Sequence, residues 1–115
     1  MPMKYKAQKT VVDGITFDSK KEAARYRELK ILERAGKIRN LELQKKFELI
    51  PPQRAAGRLA ERAVYYQADF CYDELCDELN AWLPVVEDSK GVRTRDYILK
   101  RKLMLWVHGV RIRET

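Results

Sequence analysis

Two β-forming runs that lie close together in the chain constrain the fold most strongly. The first, AVYYQADFCY at residues 63–72, is rich in aromatic and β-branched side chains, and AWLPVVEDSKG at residues 81–91 also favours a strand. Only the acidic segment DELCDELN, residues 73–80, joins them. Because consecutive strands with a short connection usually pair, we predict a sheet that contains these two strands as neighbours.

The remaining segments predict helices and further strands. Ala, Leu, Glu, Lys and Arg dominate residues 19–35, and Gly36 follows them, which predicts a helix. A second helix is predicted from about Arg95 to Val107, with Thr94 as its N-cap and Gly109 beyond its end. The other predicted segments are a flexible basic arm (1–9), a small hairpin that turns at Asp13-Gly14, a strand (41–50) ended by Pro51-Pro52, a loop (51–61) and a short last strand (110–114).

This order of segments indicates the fold class. After the opening hairpin come a helix, three strands, a helix and a strand, and the chain of 115 residues is long enough for one domain only. We therefore predict an α/β fold around a central sheet, with a single domain at residues 10–115.

The charge of the chain points to a polyanionic partner. The net charge is +7, and from Lys90 to Thr115 eight basic residues stand against two acidic ones, whereas residues 69–88 are acidic. A basic protein with an acidic centre favours nucleic acid as partner and a site where carboxylates gather. A solvated basic face would explain the positive charge alone equally well.

Composition also excludes several classes of protein. No segment is apolar enough to span a membrane, and the start MPMKYKAQK lacks the apolar part of a signal peptide, so a cytoplasmic protein is expected. Two cysteines, Cys71 and Cys76, and one histidine, His108, suit neither a disulfide framework nor a Cys/His metal site. We predict that both thiols are reduced and that His108 is a polar residue in the last turn of the second helix.

Alternation along a strand predicts which side chains share a face. In residues 81–91, Val86, Asp88 and Lys90 lie on one face. In residues 63–72, Asp69 shares a face with Tyr65, Gln67 and Cys71, and Val64, Tyr66, Ala68 and Phe70 share the other. If the two strands pair, Asp69 and Asp88 face the same side of the sheet.

Two carboxylates at that distance repel each other unless one is protonated or a cation lies between them. Mg²⁺ suits one or two carboxylates together with a phosphate oxygen, so it is the predicted cation. Lys90 would lie beside it, next to a bound water or a phosphate. A charged strand end without chemistry is the plain alternative, and the short spacing Asp88-x-Lys90 does not distinguish the two.

Glu22 is a third acidic residue with two interpretations. It lies on the same side of the first helix as Tyr26 and Leu29, four and seven residues further on, so it is predicted to point towards the sheet. Ser19-x-x-Glu22 is also the pattern of a capping box, which the pattern alone favours. Gln44, in LELQ, is interpreted as an ordinary strand residue.

Three pieces of sequence then carry a resemblance. They are FDSKKEAARY with Glu22, QADF with Asp69, and VVEDSKG with Asp88-x-Lys90. In this order they resemble the PD-(D/E)XK nuclease superfamily. More closely, from about Tyr5 to Glu114, the chain resembles a family of small, mostly uncharacterised phage and prophage proteins that are similar to resolvase-like endonucleases. Ala68 stands where the superfamily name has a proline.

The resemblance implies a restriction-endonuclease-like core and a metal-dependent DNA endonuclease. It implies that Asp69, Asp88 and Glu22 hold Mg²⁺, for which Mn²⁺ substitutes, with the Ser89 backbone carbonyl as a further ligand and Lys90 as the catalytic lysine. The expected substrate is DNA, including branched DNA or a Holliday junction, in phage recombination, replication or packaging inside a bacterial host. A phage protein that binds nucleic acid without catalysis is the alternative.

The second helix suggests how DNA and a second subunit are bound. Residues predicted to contact the DNA backbone are Arg93, Arg95, Lys100, Arg101 and Lys102, each of which a solvated helix face explains equally well. Apolar residues from Tyr97 to Val107 occupy almost the whole circumference of this helix. Either a homodimer or the N-terminal hairpin is therefore expected to cover its outer side.

Overall fold

The computed structural model describes residues 8–90 and 92–115 and shows a mixed α/β fold. Its two helices are α1 (Lys20–Arg34) and α2 (Arg95–His108). Its strands are β1 (Thr10–Val12), β2 (Ile15–Phe17), β3 (Ile38–Ile50), β4 (Gln53–Ala55), β5 (Arg58–Glu61), β6 (Val64–Cys76), β7 (Ala81–Asp88) and β8 (Arg113–Glu114). Neither helix is long and apolar enough to cross a membrane within these residues.

Four of the strands form the central sheet, in the order β3-β6-β7-β8. The predicted neighbours β6 and β7 pair antiparallel, as do β3 and β6, whereas β8 returns parallel to β7 after α2. A parallel pair needs a crossover connection, and α2 supplies it. The other four strands form two separate hairpins, β1–β2 and β4–β5.

The two helices cover opposite faces of the central sheet. Neighbouring residues on β7 point to opposite sides, and Val85 packs with the core around α1 whereas Val86 packs with the core around α2. Leu29 is fully buried in the first core and Met104 in the second. The sheet is therefore the middle of three layers.

Local signals at the helix ends were predicted well. Ser19 and Thr94 are the N-caps of α1 and α2, and each side chain accepts a hydrogen bond from an amide in the first turn. Gly36 lies just beyond the end of α1, and Gly109 is the C-cap of α2. Both adopt left-handed backbone, at φ of 75° and 67°. The turn at Asp13-Gly14, with both residues at positive φ, joins β1 and β2 as expected.

Several strand predictions were wrong. Residues 51–61 are not a loop but the hairpin β4–β5, and β3 begins at Ile38 rather than at 41. The acidic connection predicted at residues 73–80 is shorter than expected, because β6 continues to Cys76. The last strand has only two residues. The predicted basic arm, 1–9, lies outside the described residues except for Gln8 and Lys9, which precede β1.

The N-terminal hairpin does not cover α2, contrary to one of the two expectations. It packs on α1, where the Phe17 and Tyr26 rings lie 5.0 Å apart between centroids and the Tyr26 hydroxyl contacts Asp13 at 3.1 Å. Leu99 and Trp106 on α2 stay exposed as a result.

A break in strand alternation at Gln44 and Asp69 changes which residues share a face. Gln44 has φ of 56° in the middle of β3, opposite the position of Asp69 on β6. On one side of this point Ala68 packs in the core around α2, and on the other side Phe70 packs in the core around α1. The prediction that Ala68 and Phe70 share a face was wrong, because simple alternation does not continue through residue 69.

A buried ionic network joins α1 to β7. The Glu87 side chain is completely buried, and its two oxygens accept hydrogen bonds from Arg25 Nε at 2.7 Å and Arg25 Nη2 at 2.9 Å. The Tyr72 hydroxyl donates a third bond to Glu87 at 2.6 Å. Because a buried carboxylate needs such partners, this network fixes the helix against the sheet.

Loss of the Arg25 guanidinium is predicted to destabilise the fold strongly. Arg25→Ala leaves Glu87 buried without its cation, which costs about 3–5 kcal/mol, whereas Arg25→Met combined with Glu87→Met restores most of that loss. Urea denaturation of both variants measures the free energies of unfolding. Arg27→Ala, on the exposed side of the same helix, is the control and is expected to stay within about 0.5 kcal/mol of the wild type.

Candidate functional site

Asp69 and Asp88 meet beside the break in β6, as predicted. Asp88 is almost completely buried at the end of β7, and its Oδ2 accepts a hydrogen bond from the Tyr66 hydroxyl at 2.5 Å. Asp69 accepts one from the Ser89 amide at 2.9 Å. Burial raises the pKa of Asp69 to about 7, and a hydrogen bond shared with Asp88 acts in the same direction. The two carboxylates are thus close enough to compete for one proton or one cation.

Lys90 is held over this pair by two contacts. Its ammonium lies 3.3 Å from Asp88 Oδ2 and 4.3 Å from the centre of the Tyr97 ring, at the start of α2. The ring face attracts the cation and limits its movement. Lys21 Nζ donates to the Lys90 backbone carbonyl at 3.1 Å, so α1 also supports the strand end.

Glu22 lies at the third side of the site. It is buried with Tyr26 and Leu29, as its helix position predicted, and burial raises its pKa, with Asp18 and Asp88 adding to the effect and Lys90 opposing it. The Ser19 hydroxyl accepts from the Glu22 amide at 3.1 Å, which is half of a capping box. The Glu22 carboxylate instead accepts from Gln44 Nε2 at 3.1 Å.

Gln44 is therefore more than the ordinary strand residue expected. Its positive φ places it where the strand changes face, and its side chain reaches Glu22. Its backbone carbonyl accepts from Gln67 Nε2 at 3.2 Å. Glu22 and Gln44 also line an open cleft of about 230 Å³ together with Asp18.

The site has two neighbouring carboxylates for a cation but, among the described residues, no third ligand in place. Within residues 8–90 and 92–115, no three Asp, Glu, His or Cys side chains are placed closely enough to hold a metal ion. The neighbouring Asp69 and Asp88 carboxylates nevertheless supply the oxygen ligands that Mg²⁺ prefers. Glu22 would have to exchange its bond to Gln44 for such a ligand role.

The predicted DNA-binding residues differ in their surroundings. Arg93 and Arg101 contact Glu114, with Arg93 Nε at 2.8 Å and Arg101 Nη1 at 3.5 Å, and Lys100 lies 3.5 Å from Asp96. Arg95 and Lys102 are exposed on the outer side of α2.

Four aromatic and polar residues that support the site escaped the sequence prediction. Tyr66 and Tyr97 contact Asp88 and Lys90, whereas Arg25 and Tyr72 bind Glu87, the neighbour of Asp88. Arg25, Tyr66 and Tyr72 lie 15 or more residues from these partners in the chain, and Tyr97 lies seven from Lys90, so the pairing of β6 with β7 and the packing of both helices bring them together. The other polar predictions fit: His108 ends α2, and its Nε2 lies 2.6 Å from the Glu48 carbonyl oxygen, while both cysteines are free.

The fold and the site define a small mixed α/β protein with a pair of neighbouring carboxylates next to a lysine. The chain belongs to the DUF1064 family, described as proteins of unknown function, whose family model matches residues 2–111. Comparison with curated proteins finds no match. Comparison with solved structures finds none either.

Replacing Asp69 with Asn is predicted to stabilise the metal-free protein above neutral pH. Because the folded-state pKa of Asp69, about 7, exceeds its usual value of 3.8, ionisation destabilises the fold progressively from about pH 4 to pH 7. An amide keeps the Ser89 bond and donates to Asp88 without charge. Asp69 is partly exposed, which screens the effect, so we expect a gain of about 1–2 kcal/mol at pH 8.

Thermal unfolding in EDTA at pH 8 and pH 4 tests this prediction. The gain should become small at pH 4, where the wild-type carboxyl is protonated in the folded state and about half protonated in the unfolded state. Asp77→Asn, in the turn between β6 and β7, is the control. An equal gain at both pH values would mean that Asp69 and Asp88 do not repel each other.

Proposed function

We propose that this protein is a metal-dependent DNA endonuclease that hydrolyses phosphodiester bonds, as a member of the PD-(D/E)XK nuclease superfamily with a restriction-endonuclease-like core. The observation that carries the proposal is the paired Asp69 and Asp88 carboxylates with Lys90 fixed beside them. The buried structural carboxylate of Glu87, in contrast, has a matched cation in Arg25. The Asp69–Asp88 pair has one lysine for two acids, which suits a site that takes up a further cation.

The proposed metal ligands follow from this geometry. Asp69 and Asp88 would hold Mg²⁺ or Mn²⁺, Glu22 would join them in exchange for its bond to Gln44, and the Ser89 backbone carbonyl is a further candidate. The ion would polarise the scissile phosphate and lower the pKa of a bound water. Lys90 holds that water or a phosphate oxygen, and the Tyr97 ring keeps its ammonium in place.

Charge supports DNA as the substrate. The net charge is +7, and Arg95 and Lys102 are exposed on α2, which begins next to Lys90. Arg93, Lys100 and Arg101 would exchange their carboxylate partners for phosphates on binding. Cytoplasmic branched DNA, including a four-way junction formed during phage recombination, replication or packaging, is the substrate we propose to test first.

The Lys90→Ala variant is predicted to bind DNA but not to cut it. Loss of one group that acts on the transition state typically lowers the rate about 10²–10³-fold, whereas many other basic residues still hold the DNA. Cleavage of plasmid, branched and four-way-junction DNA is measured with Mg²⁺, Mn²⁺ or EDTA, and binding is measured in EDTA. Lys37→Ala, which removes an exposed lysine after α1, is the control and is expected to cut normally.

Two outcomes would contradict the proposal. Equal loss of binding and cleavage in Lys90→Ala would mean that Lys90 contacts a phosphate and has no catalytic role. If the wild type cuts none of these substrates with either metal, the protein binds nucleic acid without catalysis. In the same assay, Glu22→Gln separates the ligand role from the cap, since only a ligand role predicts lost cleavage with an unchanged melting temperature.

We also propose that two copies associate through α2. Leu99, Leu105 and Trp106 are exposed on this helix, and Trp106 is 83% exposed. The other apolar face of α2, around Met104, is buried in the core. The N-terminal hairpin lies on α1 and does not cover the exposed face. A two-fold dimer would place two sites on one symmetric DNA substrate.

Sedimentation of a Trp106→Glu variant tests this association. We expect a dimer for the wild type at micromolar concentration and a monomer for the variant, with little change in melting temperature because Trp106 is exposed. Ile31→Glu changes an exposed apolar residue on α1 and should remain dimeric. A monomeric wild type would exclude the dimer.

A further inference from the structure

The β4–β5 hairpin projects from the rest of the protein. Every residue from 51 to 62 is exposed, and the two strands pair with each other and with no other described strand. Ala56 and Gly57, at φ of 52° and 76°, form the tip. The hairpin therefore contributes little to either core, and its presence needs a different explanation.

The hairpin continues the pairing register of the two longest strands. Pairing of β3 with β6 extends to Ile50 and Val64, and β4–β5 pairing begins again with Gln53 and Glu61 after the Pro51-Pro52 interruption. Twelve residue steps separate Asp69 from Gly57. An extended strand of that length spans at most about 40 Å, which is close to one helical turn of B-DNA at about 34–36 Å.

An exposed strip of the sheet runs from the break at Gln44 towards the hairpin. Beyond the break at Gln44, Phe47 packs towards α2, so its neighbour Lys46 points to the other face, which α1 does not cover there. Lys46 pairs with Gln67, and Tyr65 follows along β6; all three are exposed. The open strip is polar and carries a lysine, so it suits a nucleic-acid backbone.

The hairpin has the charge and the width for a DNA groove. Residues 51–62 contain Arg54, Arg58 and Arg62 against Glu61 alone. Its tip consists of small residues, which keep the ribbon narrow. The major groove of B-DNA, about 12 Å wide, admits a two-stranded β-ribbon.

We propose that the β4–β5 hairpin enters the major groove of a DNA duplex about one helical turn from the Asp69–Asp88 site, and that Arg54 and Arg58 contact the phosphates that border the groove. This inference rests on the proposed function, since it takes DNA as the ligand of that site. It goes further by assigning a second contact region, and it requires a duplex arm of about ten base pairs beside the point of cleavage.

Binding of a 25-base-pair duplex in EDTA tests the arginine contacts without any cleavage. For Arg54→Ala with Arg58→Ala, we expect about tenfold weaker binding at 0.1 M salt. The slope of log K against log salt concentration should fall in magnitude by about 2, since each phosphate contact contributes about 0.9. Arg27→Ala with Arg34→Ala removes the same charge from the exposed side of α1 and should leave both values unchanged.

A shortened variant tests the position of the contact. Residues 51–63 are replaced by Asn-Gly, a two-residue turn that joins the paired residues Ile50 and Val64, and circular dichroism and thermal melting verify the fold. In hydroxyl-radical footprinting, the variant should lose only the protection that lies about ten base pairs from the remaining footprint.

The outcomes separate this inference from the proposed function. If the wild type binds the duplex and both hairpin variants bind it equally well with the same salt slope and footprint, the hairpin is not a DNA contact, although the endonuclease proposal stands. If the wild type binds no DNA at all, both proposals fail. Unchanged DNA binding with lost self-association in sedimentation would assign the hairpin to a protein contact and overturn the inference.

Discussion

The buried Glu87 carboxylate is the interaction on which the rest of this structure depends. Arg25 binds both of its oxygens and Tyr72 binds one, so α1, β6 and β7 are held in one arrangement. Arg113 on β8 reaches the Tyr72 hydroxyl at 3.3 Å, which adds the fourth element. Glu22 lies three residues before Arg25 on α1, so the network that fixes the helix also fixes how far Glu22 reaches towards the sheet.

Two neighbouring carboxylates on β7 thus have opposite roles. Glu87 points towards α1 and is fully neutralised, whereas Asp88 points towards Tyr66 and Lys90 on the side of α2 and shares its position with Asp69. The first is a rigid support, because a buried and fully bonded carboxylate has no free ligand position. The second pair has one lysine, Lys90, for two carboxylates. This contrast, rather than the number of acidic residues, separates structural charge from the candidate site.

Sequence alone predicted the elements that depend on local chemistry. Ser19, Thr94, Gly36 and Gly109 mark the helix ends because capping acts within a few residues, and the convergence of Asp69 with Asp88 follows from two strands with a short connection. The predicted strand faces failed beyond Asp69, because nothing in a glutamine residue signals the left-handed backbone that Gln44 adopts.

The remaining errors have equally specific causes. The hairpin at 53–61 was mistaken for a loop because Pro51-Pro52 interrupts the strand and Ala56-Gly57 lacks the asparagine or aspartate of a strong turn signal. Glu87 was overlooked because its partner Arg25 is 62 positions away, a distance over which no local pattern operates. Long-range polar pairs of this kind become visible only when the sheet order is known.

The parallel pairing of β7 with β8 has a consequence for the order in which the molecule assembles. The ribbon of β3 and β6 can close progressively from the tip at Ala56-Gly57, since each new pair needs only a small additional loop. Pairing of β8 with β7 requires α2 to form first, and only then does the Thr115 amide bond the Asp88 carbonyl at 3.0 Å. We therefore expect a nascent chain to possess the ribbon before β8 fixes the end of β7 at Asp88, so that this strand end matures last and reports the fully folded state.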